Sequence, residues 1–346
     1  MGQMEKTRDR LKKLRRLLRG KKNLLTVLQD NPDPDAIAAA LGLRVLVHKL
    51  GGLTCSIAHS GTVGRAENRA MVKYLGVNLR PFGEIDVERF DVVAMVDTQP
   101  GAGNNPLPEG VGVDIVIDHH PIKRASRRAA LLDVRKGYGA TATILYEYLG
   151  AAGITPDVPL ATAIMYAIRS DTQDLGMLAS GADIRAIEEL YPLANKRMLS
   201  QIQRGQVQRE YFRMLAEGLQ QARVYGKCIM AGLGDLAIPD MIGEVADLLL
   251  RDDEAQWAMC YGFYEGKLLI SLRTSEAGRK ANEVMRKIVS RRGSGGGHDM
   301  MAGGNIPLKK GTKGERVALE KVIREKLLRA LNLTESQGVK IVPVTV

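Results

Sequence analysis

An acidic, proline-containing turn, Asp30-Asn31-Pro32-Asp33-Pro34-Asp35, separates two runs of different character. The apolar run Leu24–Leu28 before it predicts a buried strand, and the alanine-rich run 36–41 after it predicts a helix. A strand, turn and helix in this order are typical of open α/β sheets, in which ligands bind at the carboxyl ends of strands. The turn can bring Asp33 and Asp35 onto one cation; alternatively, the acids only cap the helix.

Ionisable residues also stand at the ends of three later predicted elements. The strand 91–97 ends in Asp97, the strand 114–117 leads into Asp118-His119-His120, and the helix 159–169 is followed by Asp171. The alternation of strands and helices predicts a mainly parallel, doubly wound α/β sheet. Carboxylates gathered at one rim repel one another, so a cation between them is the natural resolution. Carboxylate and imidazole ligands without thiolate suit manganese, magnesium or catalytic zinc.

The positive charge is concentrated at the amino terminus. Residues 1–22 hold ten Lys or Arg against Glu5 and Asp9, which supplies +8 of the net charge of +11. Leucines recur in this segment at helical spacing: Leu11, Leu14, Leu17 and Leu18. We therefore predict a basic amphipathic helix. It either attracts nucleic acid or another anionic surface, or it docks through its leucines and leaves the charges in water.

Composition predicts a cytoplasmic protein. The length of 346 residues is enough for two domains, and 45% hydrophobic residues is ordinary for a globular chain. The three cysteines, Cys55, Cys228 and Cys260, are widely spaced and form no disulfide framework, which favours a reducing compartment. The apolar stretches are shorter than the roughly 20 residues of a membrane helix, and no signal peptide is recognisable, so we expect no membrane contact.

A second domain is predicted after a helical linker at 195–224. Its apolar runs predict a hairpin around Glu265-Gly266. Further on, Gly295, Gly296 and Gly297 allow backbone amides to approach an anion closely, and His298 can donate to a phosphate; alternatively, this stretch is a flexible loop. Arg273 suits a two-pronged phosphate contact, with a strand-end salt bridge as the alternative.

The segment Asn31-Pro32-Asp33-Pro34-Asp35-Ala36, Asp97, Asp118-His119-His120 and Asp171, in this order, resemble the motifs of the DHH phosphoesterases. That family contains RecJ exonucleases, nanoRNases, cyclic-dinucleotide phosphodiesterases and exopolyphosphatases. The resemblance implies a DHH domain at 23–194, following the basic helix at 1–22. It also implies a smaller α/β domain, the DHH-associated domain, at 225–346.

The resemblance also implies two manganese ions per chain, for which magnesium is an alternative. Asp33 and Asp97 would hold the first ion, and Asp35, Asp97, His119 and Asp171 the second. Asp118 would orient His119 from behind the metal, and His120 would act with Asp97 in catalysis by contacting the substrate phosphate. The substrate's other end would contact Arg273, Gly295, Gly296, Gly297 and His298. Gln29 departs from the family pattern, because a histidine that binds the first metal usually stands at that position.

The function implied is hydrolysis of phosphate esters in small nucleotides by a metal-activated hydroxide. The expected substrates are short single-stranded oligonucleotides, pAp or linear dinucleotides. One alternative is an exopolyphosphatase or pyrophosphatase, which the scarcity of aromatic residues favours slightly. Another is a nucleotide-binding protein without activity, in which Gln29 marks a weakened metal site. The sequence leaves a homodimer open.

Overall fold

The computed structural model describes residues 2–176, 178–276, 278–297, 299–335 and 337–342. Its contacts divide the chain into two compact units, Met1–Gln206 and Val207–Val346. The domain boundaries given above, at 22/23, 194/195 and 224/225, stay predictions. None of the helices in the described ranges is both long and apolar enough to cross a membrane.

The first unit is built on a six-stranded parallel sheet. Its strands are β1 (Asn23–Val27), β2 (Thr54–His59), β3 (Arg80–Pro81), β4 (Val92–Val96), β5 (Ile115–Asp118) and β6 (Leu131–Val134). Their order is β3-β2-β1-β4-β5-β6, and all neighbours are parallel, which confirms the predicted doubly wound α/β fold. The strand order reverses between β1 and β4. In sheets of this kind the ligand-binding crevice lies at the carboxyl ends of the strands beside that reversal.

Helices cover this sheet and enclose its larger core. They are α1 (Gln3–Leu18), α2 (Pro34–Gly51), α3 (Ala66–Tyr74), α4 (Thr141–Ala151), α5 (Val158–Asp171), α6 (Gly181–Leu190) and α7 (Lys196–Gln203). Side chains from α1, α2, α4 and α5 form one continuous apolar cluster with the sheet. Other side chains of the strands, among them Val27 and Met95, form a smaller, separate apolar cluster. The first unit therefore has apolar layers that fix the strand ends.

The basic helix α1 docks on the body of the first unit. Leu11, Leu14 and Leu18 are at most 4% exposed, and they belong to the same core as α2 and α4. Arg10 adds an ion pair with the buried Asp133 of β6, at 2.9 Å. The lysines and the other arginines of the helix remain exposed. The docking interpretation is thus confirmed for the leucines, whereas contact with nucleic acid stays a prediction.

The second unit contains a seven-stranded mixed sheet between two pairs of helices. The strands are β7 (Arg223–Tyr225), β8 (Cys228–Asp235), β9 (Trp257–Tyr264), β10 (Lys267–Thr274), β11 (Ser294–Gly297), β12 (Met301–Pro307) and β13 (Val339–Lys340), and the helices are α8 (Arg209–Gln221), α9 (Met241–Leu249), α10 (Ala281–Val289) and α11 (Lys313–Ala330). The strand order is β11-β12-β10-β9-β8-β7-β13. Helices α10 and α11 pack on one cluster of strand side chains, and α8 and α9 on another. The predicted hairpin is confirmed as β9 and β10.

The glycine-rich stretch is a paired strand, so the alternative of a flexible loop is wrong for its described part. Strand β11 is antiparallel to β12, with Gly295 opposite Gly304 and Gly296 opposite Gly303. A Cβ atom on Gly304 would lie 2.6 Å from the sulfur of Met285, so the absence of a side chain lets α10 pack closely. A Cβ on Gly296 or Gly303 would meet no atom within 4 Å. This second glycine pair presents bare backbone.

Candidate metal centre

Four of the predicted ligands converge at the carboxyl ends of the parallel strands. Asp35 lies in the first turn of α2, Asp97 follows β4, His119 follows β5, and Asp171 is the last residue of α5. The Nε2 atom of His119 lies 3.5 Å from an oxygen of Asp97, 3.8 Å from one of Asp171 and 4.0 Å from one of Asp35. Asp97 has a positive φ of 59°, a conformation that a non-glycine residue adopts only where its surroundings enforce it.

The orientation of His119 points its metal-binding nitrogen at these carboxylates. Its Nδ1 lies 3.0 Å from the carbonyl oxygen of Tyr138. A carbonyl oxygen only accepts, so Nδ1 carries a proton and donates. In the neutral ring, Nε2 then presents its lone pair toward Asp35, Asp97 and Asp171. A positive charge placed between this lone pair and the three carboxylates would stabilise the arrangement.

The geometry of this cluster fits a divalent cation. Two ligand atoms that are each about 2.0–2.2 Å from one ion lie about 3–4.4 Å apart. The distances of 3.5 to 4.0 Å around Nε2 of His119 fall in this interval. Asp35, His119 and Asp171 form one group with metal-ligand spacing, Asp97, His119 and His120 form another, and such imidazole and carboxylate donors suit manganese, magnesium or zinc. The residues present therefore fit a metal ion.

The electrostatics of the carboxylates lead to the same conclusion. Burial, followed by the negative charge of Asp35 and its neighbours, raises the pKa of Asp97 well above its usual value. Burial, again followed by the charge of Asp35, does the same to the pKa of Asp171. Burial also raises the pKa of Asp35, although the nearby His119 opposes this. A divalent cation would stabilise the charged forms of all three acids.

Helix α4 holds two of the ligands, a role that sequence reasoning missed. Both oxygens of Asp35 accept hydrogen bonds from its amino-terminal amides, from Thr141 at 2.6 Å and Ala142 at 2.7 Å. The hydroxyl of Thr141 donates to Asp97 at 3.0 Å. All of these groups are buried. The apolar run after Thr141 is a helix signal, but its contact with Asp35 joins residues over a hundred positions apart.

Asp118 contacts His120, and the prediction that it orients His119 is wrong. Its Oδ1 accepts from the backbone amide and from Nδ1 of His120, both at 2.9 Å. Burial alone would lower the pKa of His120, but the hydrogen bond and charge of Asp118 outweigh it, so that pKa is raised. The carbonyl of Tyr138 orients His119 instead. Asp118 contacts His120 rather than His119 because the turn after β5 folds His120 back over Asp118.

Gln99 is a further buried residue that the sequence did not single out. Its amide nitrogen donates to Oδ2 of Asp118 at 2.7 Å. Its oxygen accepts from the backbone of Lys123 and from the hydroxyl of Ser126, both at 2.8 Å. Gln99 is 1% exposed and Ser126 fully buried. It thus ties the histidine-bearing turn to the loop that follows it.

Asp33 and Gln29, the residues predicted around the first metal, are bonded to each other. The amide nitrogen of Gln29 donates to Asp33 at 2.8 Å, and the other oxygen of Asp33 caps α2 through the amide of Ala36. Within the described residues, the groups of side chains with metal-ligand spacing are Asp35, His119 and Asp171, and Asp97 with both histidines. A first metal at Asp33 and Asp97 stays a prediction.

The residues predicted to contact the substrate lie in the second unit. The Nε of Arg273 donates to Asp247 of α9 at 2.5 Å, and its Nη1 donates to the hydroxyl of Ser271 at 2.9 Å. The salt-bridge alternative is thus confirmed for Arg273. Gly295, Gly296 and Gly297 form β11 as described above. His298 lies outside the described residues, so its predicted contact stays a prediction.

Comparison with known families matches both units. The model of the DHH family N-terminal domain matches residues 24–168, and that of the DHHA1 domain matches residues 225–326. The uncharacterized protein MJ1633 of Methanocaldococcus jannaschii is 32% identical over 321 residues, which are 91% of this chain and 65% of that protein. A probable manganese-dependent inorganic pyrophosphatase of Lactobacillus helveticus is 28% identical over 166 residues, 48% of this chain and 53% of that protein.

A solved structure shares the fold over nearly the whole chain. It is an exopolyphosphatase-related protein from Bacteroides fragilis, with a TM-score of 0.69 and 14% sequence identity, covering 93% of this chain and 98% of its own. At this level of identity the likeness shows a common fold. The chain spans 65% and 53% of the lengths of the two curated relatives named above.

Proposed function

Because the chain belongs to the DHH family, we propose that it is a metal-dependent phosphoesterase that hydrolyses phosphate esters of small nucleotides. The observation that carries the proposal is the convergence of Nε2 of His119 with oxygens of Asp35, Asp97 and Asp171. We propose manganese as the ion, with magnesium as the alternative. The relative named as a probable manganese-dependent pyrophosphatase supports this choice.

Some residues of the centre would bind the metal ion, and others orient those ligands. Asp35, Asp97, His119 and Asp171 would hold a divalent cation, which polarises a phosphoryl oxygen and lowers the pKa of water when bound. Thr141 fixes the direction of the Asp97 carboxylate through its hydroxyl. These contacts place the reacting groups before substrate arrives, so little reorganisation is needed during the reaction.

His120 is suited to contact the substrate phosphate. Its Nδ1 lies 2.9 Å from Asp118, and its raised pKa favours the protonated ring. With Nδ1 bonded to Asp118, Nε2 is the atom that would donate to a phosphoryl oxygen. The proton held there would stabilise negative charge that develops during ester cleavage.

We propose that the second unit supplies further substrate contacts. The guanidinium of Arg273 would pair with a phosphate, since guanidinium groups match phosphate geometry. The bare backbone at Gly296 allows a ligand to approach closely, because no side chain intervenes. His298 would donate to the same ligand. These contacts would favour a nucleotide over inorganic pyrophosphate, because a nucleotide has a second part that they could bind.

Product analysis of the purified full chain tests the proposal. The chain is incubated with manganese and pAp, short RNA, short DNA, linear and cyclic dinucleotides, polyphosphate or pyrophosphate, and the products are separated by chromatography. We expect manganese-dependent release of nucleoside monophosphates from at least one short nucleotide, and loss of this release in Asp171→Asn. If pyrophosphate were the only substrate hydrolysed, a pyrophosphatase would replace the nucleotide phosphoesterase as the proposed function. The relative named as a probable pyrophosphatase favours this second candidate.

Tight nucleotide binding without turnover would instead support a binding protein. Gln29 motivates this possibility, because an amide is a weaker metal ligand than imidazole. Fluorescent dinucleotide titrations with and without manganese separate the two outcomes.

A further inference from the structure

The loop between β5 and β6 carries a dense group of positive charges directly after the metal centre. Its bases are Lys123, Arg124, Arg127 and Arg128, which are all exposed, and we refer to these four residues as the basic arm. Residues 119–132 contain no Asp or Glu. Within the described part of the chain, no carboxylate lies within ion-pair distance of the four side chains, although ion pairs neutralise several other bases.

Hydrogen bonds through the buried side chains of Gln99 and Asp118 fix the basic arm to the histidine-bearing turn. The side-chain oxygen of Gln99 accepts from the amide of Lys123 and from the hydroxyl of Ser126. The nitrogen of Gln99 donates to Asp118, whose other oxygen bonds His120. The arm is therefore joined to His120 through two buried side chains as well as through the backbone.

The arm lies within reach of phosphates that neighbour the reacting one. An extended chain spans at most about 3.3–3.6 Å per residue, so the Cα of Lys123 is within about 11 Å of that of His120, and the Cα of Arg128 within about 29 Å. Phosphates along one strand of a nucleic acid helix are spaced by about 3.4 Å of helix axis. These lengths are upper limits, because residues 125–128 form a 3₁₀ helix, and they place the arm close enough to the centre for phosphates beside the reacting one to contact it.

We propose that the basic arm binds successive phosphates of a chain-like substrate while its terminal phosphate occupies the metal centre. This inference rests on the proposed function, and it selects among the substrates given there. A substrate with several phosphates along a chain, an oligonucleotide or a polyphosphate, gains contacts that pAp, a dinucleotide and pyrophosphate lack. Exposed bases attract such chains because each neutralised phosphate releases condensed counterions.

A variant that neutralises the arm tests the proposal by binding, without turnover. The variant is Lys123→Gln, Arg124→Gln, Arg127→Gln and Arg128→Gln, and the full chain is titrated in EDTA with a fluorescent single-stranded 12-mer. We expect the dissociation constant to rise at least about tenfold, and the salt dependence of log K to become shallower by about 3 units, since each phosphate contact contributes about 0.7 in single strands. Unlabelled polyphosphate and oligonucleotide are compared as competitors to identify the source of the phosphates.

Helix α1 offers a control with the same change in charge. Its variant is Lys12→Gln, Lys13→Gln, Arg15→Gln and Arg16→Gln, which changes exposed residues on a different element. Glutamine preserves helix propensity. We expect this variant to keep a larger share of the 12-mer affinity than the arm variant. Equal losses in both would assign the binding to α1 as much as to the arm, or to net charge, and would overturn the proposal, as would unchanged affinity in the arm variant.

The length dependence of hydrolysis provides an independent readout. We expect the arm variant to keep kcat/KM for a dinucleotide within about twofold and to lose at least about tenfold for the 12-mer, in line with the lost phosphate contacts. Equal losses for both lengths would contradict the arm. Absence of turnover with every substrate would contradict the proposed function, while the titration in EDTA would still decide on the arm. The double variant Arg127→Gln and Arg128→Gln, which leaves the backbone contact of Lys123 unchanged, serves if the quadruple variant unfolds.

Discussion

The hydroxyl of Thr141 provides a sharp test of how the metal centre is organised. It donates to Asp97 at 3.0 Å, and both groups are almost completely buried. In Thr141→Val the side chain keeps its shape but loses this donor, and the amide of residue 141 can still bond Asp35. The substitution therefore removes one hydrogen bond to a buried carboxylate and leaves the ligands themselves unchanged.

The size of the effect follows from the geometry. Leaving a buried polar group without its hydrogen-bond partner costs about 1–3 kcal/mol, so we expect the free energy of unfolding without metal to fall by about that amount. Loss of a group that orients a metal ligand typically weakens metal binding by about 10–100-fold. Because Asp97 faces His119 in the centre, we expect manganese affinity to decrease within this range. Calorimetric titration of EDTA-treated protein measures the affinity, and urea unfolding measures the stability.

Thr162→Val is the matched control. Its hydroxyl is equally buried, but it accepts from the amide of Asn195 and lies outside the metal centre. We expect the control to lose stability and to keep wild-type manganese affinity. If Thr141→Val bound manganese within twofold of wild type, Thr141 would not orient Asp97 and the reasoning would be refuted. Equal weakening in both variants would show that general destabilisation is the cause.

Three other substitutions test separate parts of the structure. Gln29→His should bind additional manganese in calorimetric titrations, because imidazole is a better ligand than an amide; unchanged stoichiometry would place Gln29 away from any metal. Leu14→Ala should lower the free energy of unfolding by about 2–5 kcal/mol in urea titrations, because Leu14 is fully buried; a loss below 1 kcal/mol would contradict the docking of α1. Gly304→Ala should destabilise by about 1–3 kcal/mol, because its Cβ would clash with Met285, whereas Gly303→Ala should be nearly neutral; equal effects would contradict the packing of β12.

The sequence predicted the parallel sheet because β4 and β5 are continuous apolar runs that end in ionisable residues. This pattern is local and can be recognised without a structure. The convergence of Asp35, Asp97, His119 and Asp171 could also be predicted, since parallel strands present their carboxyl ends at one rim. The glycine stretch was harder, because consecutive glycines are typical of flexible loops and only the pairing with β12 shows a strand.

The residues that hold the ligands could not be derived from the sequence. Thr141 and the carbonyl of Tyr138 act through contacts that depend on how α4 and the preceding loop pack on the strands. The pairing of Asp118 with His120 depends on the conformation of a three-residue turn. Gln99 is an ordinary amide in the sequence, and only its burial between two loops gives it a role. Such contacts depend on tertiary packing, which local sequence patterns do not predict.

The central claim is that Asp35, Asp97, His119 and Asp171 hold a divalent cation. Anomalous diffraction at the manganese edge, from crystals of the full chain grown with manganese, tests it most directly. We predict a strong anomalous peak about 2.0–2.2 Å from Nε2 of His119 and from oxygens of the three aspartates. Manganese peaks at other sites, with none among these four side chains, would contradict the account.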